Sequence, residues 1–164
     1  MGKHTLEIEY DYDFLLIGIS SHEKDYRLCW AVNNKLGIEL SKQESLEIKG
    51  KKQLTPSYFS FFLFEDQTTF KQYVVVANFS ESKTSAFQTS NLFEDQEKHS
   101  KANKNEIEYL IPEQKAMNYF FIIRGEIHKD ETEEILNKLK EINTIQTAVR
   151  IDINSLKTKQ NLVF

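Results

Sequence analysis

The sequence predicts an α+β fold: one domain with a mostly antiparallel sheet or β-meander, flanked by two β-α-β units and carrying two main helices. Three observations lead to this prediction. Short apolar or alternating segments, typical of strands, recur along the chain. Two segments, 20–37 and 130–142, carry apolar residues at helical spacing instead. The 164 residues, 40% of them hydrophobic, fit a single domain spanning 1–164.

The first two strands are predicted from local patterning. Between residues 6 and 13, apolar side chains alternate with Glu and Asp, which is the two-residue period of a strand with one acidic face. Residues 14–19 (FLLIGI) are apolar throughout. They predict a second strand that is buried more completely.

The first helix is predicted to begin at Ser20. Ser20 and Glu23 have the spacing of a capping box, and Gly37 suits the left-handed position that ends a helix. The apolar arc of this helix extends to Tyr26 and Trp30, which is wider than a surface helix needs. We therefore expect the helix either to pack deeply or to offer its Tyr26 and Trp30 edge to a partner.

The middle of the chain predicts a meander. Strands are expected near 38–41 and 45–49, and then over 54–64 and 69–79. Residues 58–64 (YFSFFLF) are apolar on both faces. This pattern favours a central strand that is covered on two sides.

The C-terminal part predicts a second helix between two strands, at 119–125 and 146–153. Asp130 and Glu133 have capping-box spacing, and Asn154 is expected to cap a last short helix. The helix carries a narrow apolar stripe made of Ile135, Leu136, Leu139 and Ile142.

Charge and cysteine content restrict the function classes. The formal net charge of -4 provides no global basic field for nucleic acid. Cys29 is the only cysteine, so no disulfide within the chain and no cysteine-based zinc site is expected. No apolar stretch approaches a bilayer-spanning length, so we expect a cytoplasmic protein without membrane contact. The four histidines are scattered, and no metal, cofactor or catalytic residue is predicted.

One acidic row supports a hypothesis of a metal-dependent enzyme. Glu7, Glu9, Asp11 and Asp13 share one face of the first predicted strand, and hard cations prefer oxygen ligands. A solvated strand face explains the same pattern and is the favoured interpretation.

A basic turn supports the hypothesis of RNA or ribosome association. Lys49, Lys51 and Lys52 precede Tyr58 on the way into an aromatic strand, and lysines beside aromatic rings can hold single-stranded nucleic acid. Residues 80–106 are polar and lysine-containing, and we expect them to form a long mobile loop that could add contacts.

The segment LIPEQKAMNYFFIIRG at 110–125 carries a family resemblance. Its residues Ile111, Pro112, Glu113, Asn118 and Tyr119 resemble the motif of the IPExxDY family. The resemblance implies a small bacterial protein of a kind typical of Bacteroidetes, without an assigned activity. Asn118 stands where the motif has Asp, and four residues intervene where the name has two. Because Asn lacks general-base capacity but still supports turns, we interpret the motif as structural.

Together these patterns favour a non-enzymatic protein-interaction or accessory module. The candidate interaction residues are Tyr26 and Trp30 on the first helix and Tyr58 and Phe59 in the aromatic strand. A protein partner is expected, and a second copy of the chain is one candidate.

Overall fold

The computed structural model describes residues 12–49, 56–80 and 107–164. These residues contain two α-helices and eight strands. In chain order the elements are β1 (Phe14–Ser20), α1 (Asp25–Leu36), β2 (Ser41–Lys42), β3 (Leu46–Ile48), β4 (Ser57–Phe59), β5 (Phe61–Asp66), β6 (Lys71–Ala77), β7 (Tyr119–Arg124), α2 (Lys129–Lys140) and β8 (Thr147–Arg150). Short 3-10 helices lie at Pro112–Gln114, Ile153–Ser155 and Lys159–Leu162.

Six strands form one antiparallel sheet in the order β2-β5-β6-β7-β1-β8, and β3 and β4 form a separate hairpin. Since every neighbouring pair is antiparallel, β1 and β2 run in the same direction, as do β7 and β8. Helix α1 connects the first of these pairs and α2 the second. The predicted α+β class with two β-α-β units is therefore confirmed.

The sheet is covered on both faces, and strand alternation divides the core into two parts. On one face, Leu15, Ile17 and Ile19 of β1 pack with the buried sides of both helices. On the other face, Leu16 packs with Phe59 of the β3-β4 hairpin and with residues of the turns near 110 and 153–162. Residues of β6 and β7 are buried on both faces, which explains their continuous apolar runs.

Helix α1 ends as predicted but begins differently. Gly37 adopts φ 70°, and its amide donates to the carbonyl of Asn33. At the start, Lys24 occupies the N-cap position without a side-chain hydrogen bond, and Ser20 is the last residue of β1. The capping box predicted from Ser20 and Glu23 is wrong because β1 extends through Ser20 to pair with β8.

Two other capping predictions are also wrong. Helix α2 begins at Lys129 after His128, one residue before the predicted cap Asp130, and no side chain caps it. In the last segment, Asp152 accepts from the amide of Asn154 at 3.0 Å, so Asn154 receives the cap instead of providing it. The predicted apolar stripe of α2 is buried as expected.

The aromatic segment 58–64 is divided at Ser60 instead of forming one central strand. Phe59 belongs to the hairpin on one face, and Phe61 begins β5 in the main sheet. Ser60 is buried, and its carbonyl accepts from the amide of Ala77 at 2.9 Å. The predicted strand at 6–13 and loop at 80–106 lie almost entirely outside the described residues.

Asn78, directly after β6, is a fully buried hydrogen-bonding centre. Its side chain accepts from the amide of Ile111 at 2.8 Å and donates to the carbonyls of Gln114 and Met117, both at 2.9 Å. Its amide donates to the carbonyl of Asn118, and its carbonyl accepts from the amide of Leu110, both at 2.8 Å. One residue therefore fixes both ends of the 110–118 turn to the sheet.

Replacing Asn78 with Ala is expected to lower the free energy of unfolding by about 2 kcal/mol or more. The buried amide of Ile111 and the part-buried carbonyl of Met117 lose their hydrogen bonds to the side chain, whereas the Gln114 carbonyl still accepts from the Met117 amide. Urea unfolding followed by circular dichroism measures this loss. The control is Asn154→Ala, at an exposed position, which should change stability by less than about 0.5 kcal/mol. Equal unfolding midpoints for the two variants would show that the Asn78 side chain has no special role.

Candidate functional site

The outer side of α1 exposes two aromatic rings one helical turn apart. Tyr26 is 55% exposed and Trp30 71% exposed, whereas Leu28, Cys29 and Val32 are buried in the core. Neither exposed ring stacks on another ring in the part of the chain that the structure describes. Of the two alternatives predicted for this helix, the structure shows the exposed aromatic edge.

The helix holds these rings in a fixed position. On one flank Lys35 pairs with Glu141, after the end of α2. At the same end of α1, two residues before Lys35, the Asn33 side chain donates to the carbonyl of Leu40 at 3.1 Å and accepts from its amide at 2.9 Å. The Tyr26 and Trp30 rings are therefore presented by a helix that is anchored to the sheet connection on one side and to α2 on the other.

The second pair of candidate interaction residues does not extend this surface. Phe59 is only 2% exposed because it fills the core beneath the β3-β4 hairpin, and Tyr58 is half-buried. Phe59 is therefore a packing residue in the folded chain, with no exposed ring to offer a partner.

The charged candidates are only partly described. Lys49 is exposed just after β3, whereas Lys51 and Lys52 lie outside the described residues. In the acidic row, Asp13 is exposed, and Glu7, Glu9 and Asp11 lie outside the described residues. Within the described ranges, no group of three or more His, Cys, Asp or Glu side chains is placed to hold a metal ion.

A cavity of about 210 Å³ lies beneath the N-terminus of α1. It is lined by Lys24, Asp25, Ser60, Ala77, Phe79 and Tyr119. The cavity is placed where α1 crosses the ends of β6 and β7. Its wall is mostly apolar because the Phe79 and Tyr119 rings meet edge to face there, with centroids 5.9 Å apart.

The side chains of Asp25, Ser60 and Tyr119 at this cavity are already engaged in hydrogen bonds. The Asp25 carboxylate accepts from the Ser60 hydroxyl, from the amide of Tyr26 at 2.7 Å and from Lys42 at 3.3 Å. Burial raises the pKa of Asp25, but these hydrogen bonds together lower it below its ordinary value. The Tyr119 hydroxyl donates to the carbonyl of Glu23 at 2.7 Å, and burial raises its pKa.

Cys29 lies close to this cluster but is not activated. Burial, with a further contribution from the Asp25 carboxylate, raises the pKa of the Cys29 thiol to about 12. A nucleophilic cysteine needs the thiolate form, so this thiol serves as a core side chain. The arrangement favours binding of an apolar group over acid-base or nucleophilic chemistry.

The motif residues form a corner between the two core layers. Ile111 is fully buried, and Pro112 begins a 3-10 turn. The structural role of Asn118 is a long-range one: its side-chain oxygen accepts from the amide of Ser21 at 2.9 Å, and its backbone amide donates to the carbonyl of Ile19 at 2.9 Å. Asn118 therefore joins the start of β7 to the end of β1, directly before α1.

Glu113 has a long-range capping role that its local position did not predict. Its carboxylate accepts from the amides of Lys157 and Thr158, at 2.6 and 2.8 Å, and from the Thr158 hydroxyl at 3.0 Å. Burial raises the pKa of Glu113, but these hydrogen bonds outweigh that effect and lower it. The motif carboxylate thus fastens the C-terminal segment to the corner.

Three features were not identified from the sequence. Asn78 is one polar residue after an apolar strand, a weak signal for a buried side chain. Asp25 and Ser60 are 35 positions apart and meet only through the sheet order. Phe70, in the β5-β6 turn, is 85% exposed with φ 55°. Asp66 is a turn-forming residue in the sequence, but the strand predicted over 69–79 included Phe70, whereas β6 begins at Lys71.

No protein-family model, no curated protein and no solved structure matches the chain. The resemblance to the IPExxDY family therefore stays a prediction from the motif. Neither of the two helices in the described ranges is long and apolar enough to cross a membrane.

Asn118→Asp is expected to change the free energy of unfolding by less than about 1 kcal/mol, because the carboxylate retains the acceptor for the Ser21 amide. Asn118→Ala should cost about 1–2 kcal/mol, because the buried Ser21 amide loses its partner. Urea unfolding of both variants measures the difference. Equal losses of stability in the two variants would contradict a stabilising role for the hydrogen bond from the Ser21 amide to the Asn118 side chain.

Glu113→Gln tests the pH dependence of the C-terminal attachment. The folded pKa of Glu113 is lowered relative to the ordinary 4.5, so its stabilisation is complete above about pH 4.5 and is lost as pH falls through the folded value. Urea unfolding at several pH values should therefore show wild type more stable than the variant near neutral pH and equal to it in acid. A difference that stays constant across pH would contradict this role.

Proposed function

We propose that this chain is a non-enzymatic, cytoplasmic protein-interaction or accessory module that binds a protein partner through Tyr26 and Trp30. The observation that carries the proposal is the exposure of both rings, 55% and 71%, on one side of an anchored helix. The hydrophobic core is formed without these rings.

The chemistry of this surface supports a protein partner. Trp and Tyr are the residues that most often dominate the binding energy of protein interfaces, particularly when packed at the centre of the contact. Because α1 is fixed by Asn33 and Lys35, little freedom of the helix itself remains to be lost on binding. The rim is polar: Arg27 pairs with Glu23 at 3.5 Å, and Lys42 pairs with Asp25. An aromatic centre with a charged rim is typical of a protein-binding surface.

The test compares Tyr26→Ala and Trp30→Ala with wild type in quantitative pull-downs from the native organism. Val149→Ala is the matched control, because Val149 is 40% exposed on β8, at the sheet edge opposite β2. A partner retained by wild type and Val149→Ala, but reduced at least about tenfold with the α1 variants, supports the proposal. Recovery of the same proteins by all four chains would overturn it.

Trp30 also provides a direct reading of binding, since it is the only tryptophan. Addition of the purified partner to the full chain should shift the Trp30 emission to shorter wavelength, because its ring leaves water. Thermal unfolding of the α1 variants should match wild type, because neither ring fills the core. An unchanged emission spectrum at saturating partner would contradict contact through this helix.

The two alternative functions, RNA or ribosome association and a metal-dependent enzyme, are each tested by a separate experiment. RNA or ribosome association predicts recovery of RNA that falls steeply with salt and is weakened by Gln at Lys49, Lys51 and Lys52. The metal-dependent enzyme predicts stabilisation by Mg²⁺, Mn²⁺ or Ca²⁺ that is lost when Glu9 and Asp11 are neutralised.

A further inference from the structure

The β5-β6 turn holds a phenyl ring in water at a backbone position that disfavours it. Phe70 has φ 55°, in the left-handed region that Gly or Asn normally occupies, and it is 85% exposed. The turn is fixed by Asp66, whose carboxylate accepts from the amide of Thr68 at 2.8 Å and from the hydroxyl of Thr69 at 2.7 Å. Since the strain is not offset by burial within the described chain, the ring is a candidate binding element.

The cavity beneath α1 has the size and lining that such a ring requires. Its volume is about 210 Å³, and its wall includes Ala77, Phe79 and Tyr119. An apolar protein cavity of about 150 Å³ is already sufficient to bind benzene. Phe79 is 36% exposed and Lys24 is exposed, so the cavity has its mouth at the surface.

These two features lie at opposite ends of the same strand. Phe70 directly precedes β6, and Ala77 is its last residue, so they are separated by about 20 Å at the usual rise per residue. They cannot meet within one chain. We propose that copies of this chain associate head to tail, with Phe70 of one copy inserted into the cavity beneath α1 of the next copy.

The charges beside the two features are opposite in sign once the ion pairs within the chain are set aside. Asp25 at the cavity pairs with Lys42, and Lys71 beside the turn pairs with Glu131; Arg124 also lies at the turn, beside two carboxylates. Glu65 and Asp66 flank the Phe70 turn, and Glu65 is exposed. Lys24 lines the cavity and makes no ion pair with any described residue. With Phe70 inserted, Glu65 of one copy is brought toward Lys24 of the next. This complementarity favours a second copy over an uncharged apolar partner as the occupant.

The geometry also determines the type of assembly. Each copy in a head-to-tail contact retains one unused ring at one end and one unused cavity at the other, so association continues with concentration or closes into a ring. The contact is small, and the association is therefore weak. Tyr26 and Trp30 take no part, so this inference does not rest on the proposed function.

Sedimentation velocity of the full chain over a concentration series, up to millimolar, tests the assembly. Wild type should form species larger than a dimer as concentration rises. Phe70→Gly should remain monomeric while its melting temperature is retained or raised, because Gly accepts the left-handed backbone without strain. Val149→Ala, at an exposed position on the edge strand β8, is the control and should associate like wild type. A wild type that stays monomeric, a closed dimer, or association unaffected by Phe70→Gly would overturn the proposal.

A charge-reversal pair tests the same contact without changing the core. Lys24→Glu and Glu65→Lys should each weaken association at least about fivefold through like-charge repulsion, and the chain carrying both changes should recover it.

An equimolar mixture of Phe70→Gly with Ala77→Leu, whose added side chain fills the cavity, should form 1:1 heterodimers and nothing larger. No recovery in the double charge reversal would overturn the contact. Where Ala77→Leu folds, absence of the heterodimer would do the same.

Discussion

The rest of the described structure depends on the five hydrogen bonds of Asn78. They join the end of β6 to both ends of the 110–118 turn, so the position of this turn relative to the sheet is fixed. The same turn places Asn118 against Ser21, which determines where β1 ends and where the chain departs toward α1. One buried amide therefore contributes to the place where the chain leaves β1 toward α1, and so to the position of the cavity at the N-terminus of that helix. Every polar group of that amide has a partner, as burial in a low-dielectric core requires.

Four residues of the motif, Ile111, Glu113, Asn118 and Tyr119, have an architectural explanation. Ile111 packs in the core, Glu113 holds the C-terminal segment, and Asn118 holds β1. The Tyr119 hydroxyl supports the approach to α1 by donating to Glu23. A side chain whose hydrogen-bonding groups are engaged within the fold has few left for a substrate. This is the physical reason for proposing a binding role and not a reaction.

The apolar side chains that stay exposed after folding indicate the candidate binding surfaces of this protein. Trp30 and Tyr26 contribute little to the core, and Phe70 lies in water at a strained backbone position. Scattered exposed apolar residues are common on protein surfaces. Tyr26 and Trp30 differ from such scattered residues because they lie together on an anchored helix. Phe70 differs from them because its backbone is strained. They lie on separate elements, so the helix edge and the turn can act independently.

The sequence by itself determined the α+β class, the buried strands, the left-handed end of α1 at Gly37 and the apolar stripe of α2, because these depend on local periodicity and backbone preference. Only the tertiary structure decided the break at Ser60, the beginnings of both helices and the partners of Glu113 and Asn118. Capping spacing recurs by chance, and strand pairing overrides it when a residue such as Ser20 extends a sheet. The cavity beneath α1 could not be predicted from local sequence patterns for a similar reason. Its lining residues are spread through the sequence between Lys24 and Tyr119. The order of the strands in the sheet, which is a long-range property, brings them together.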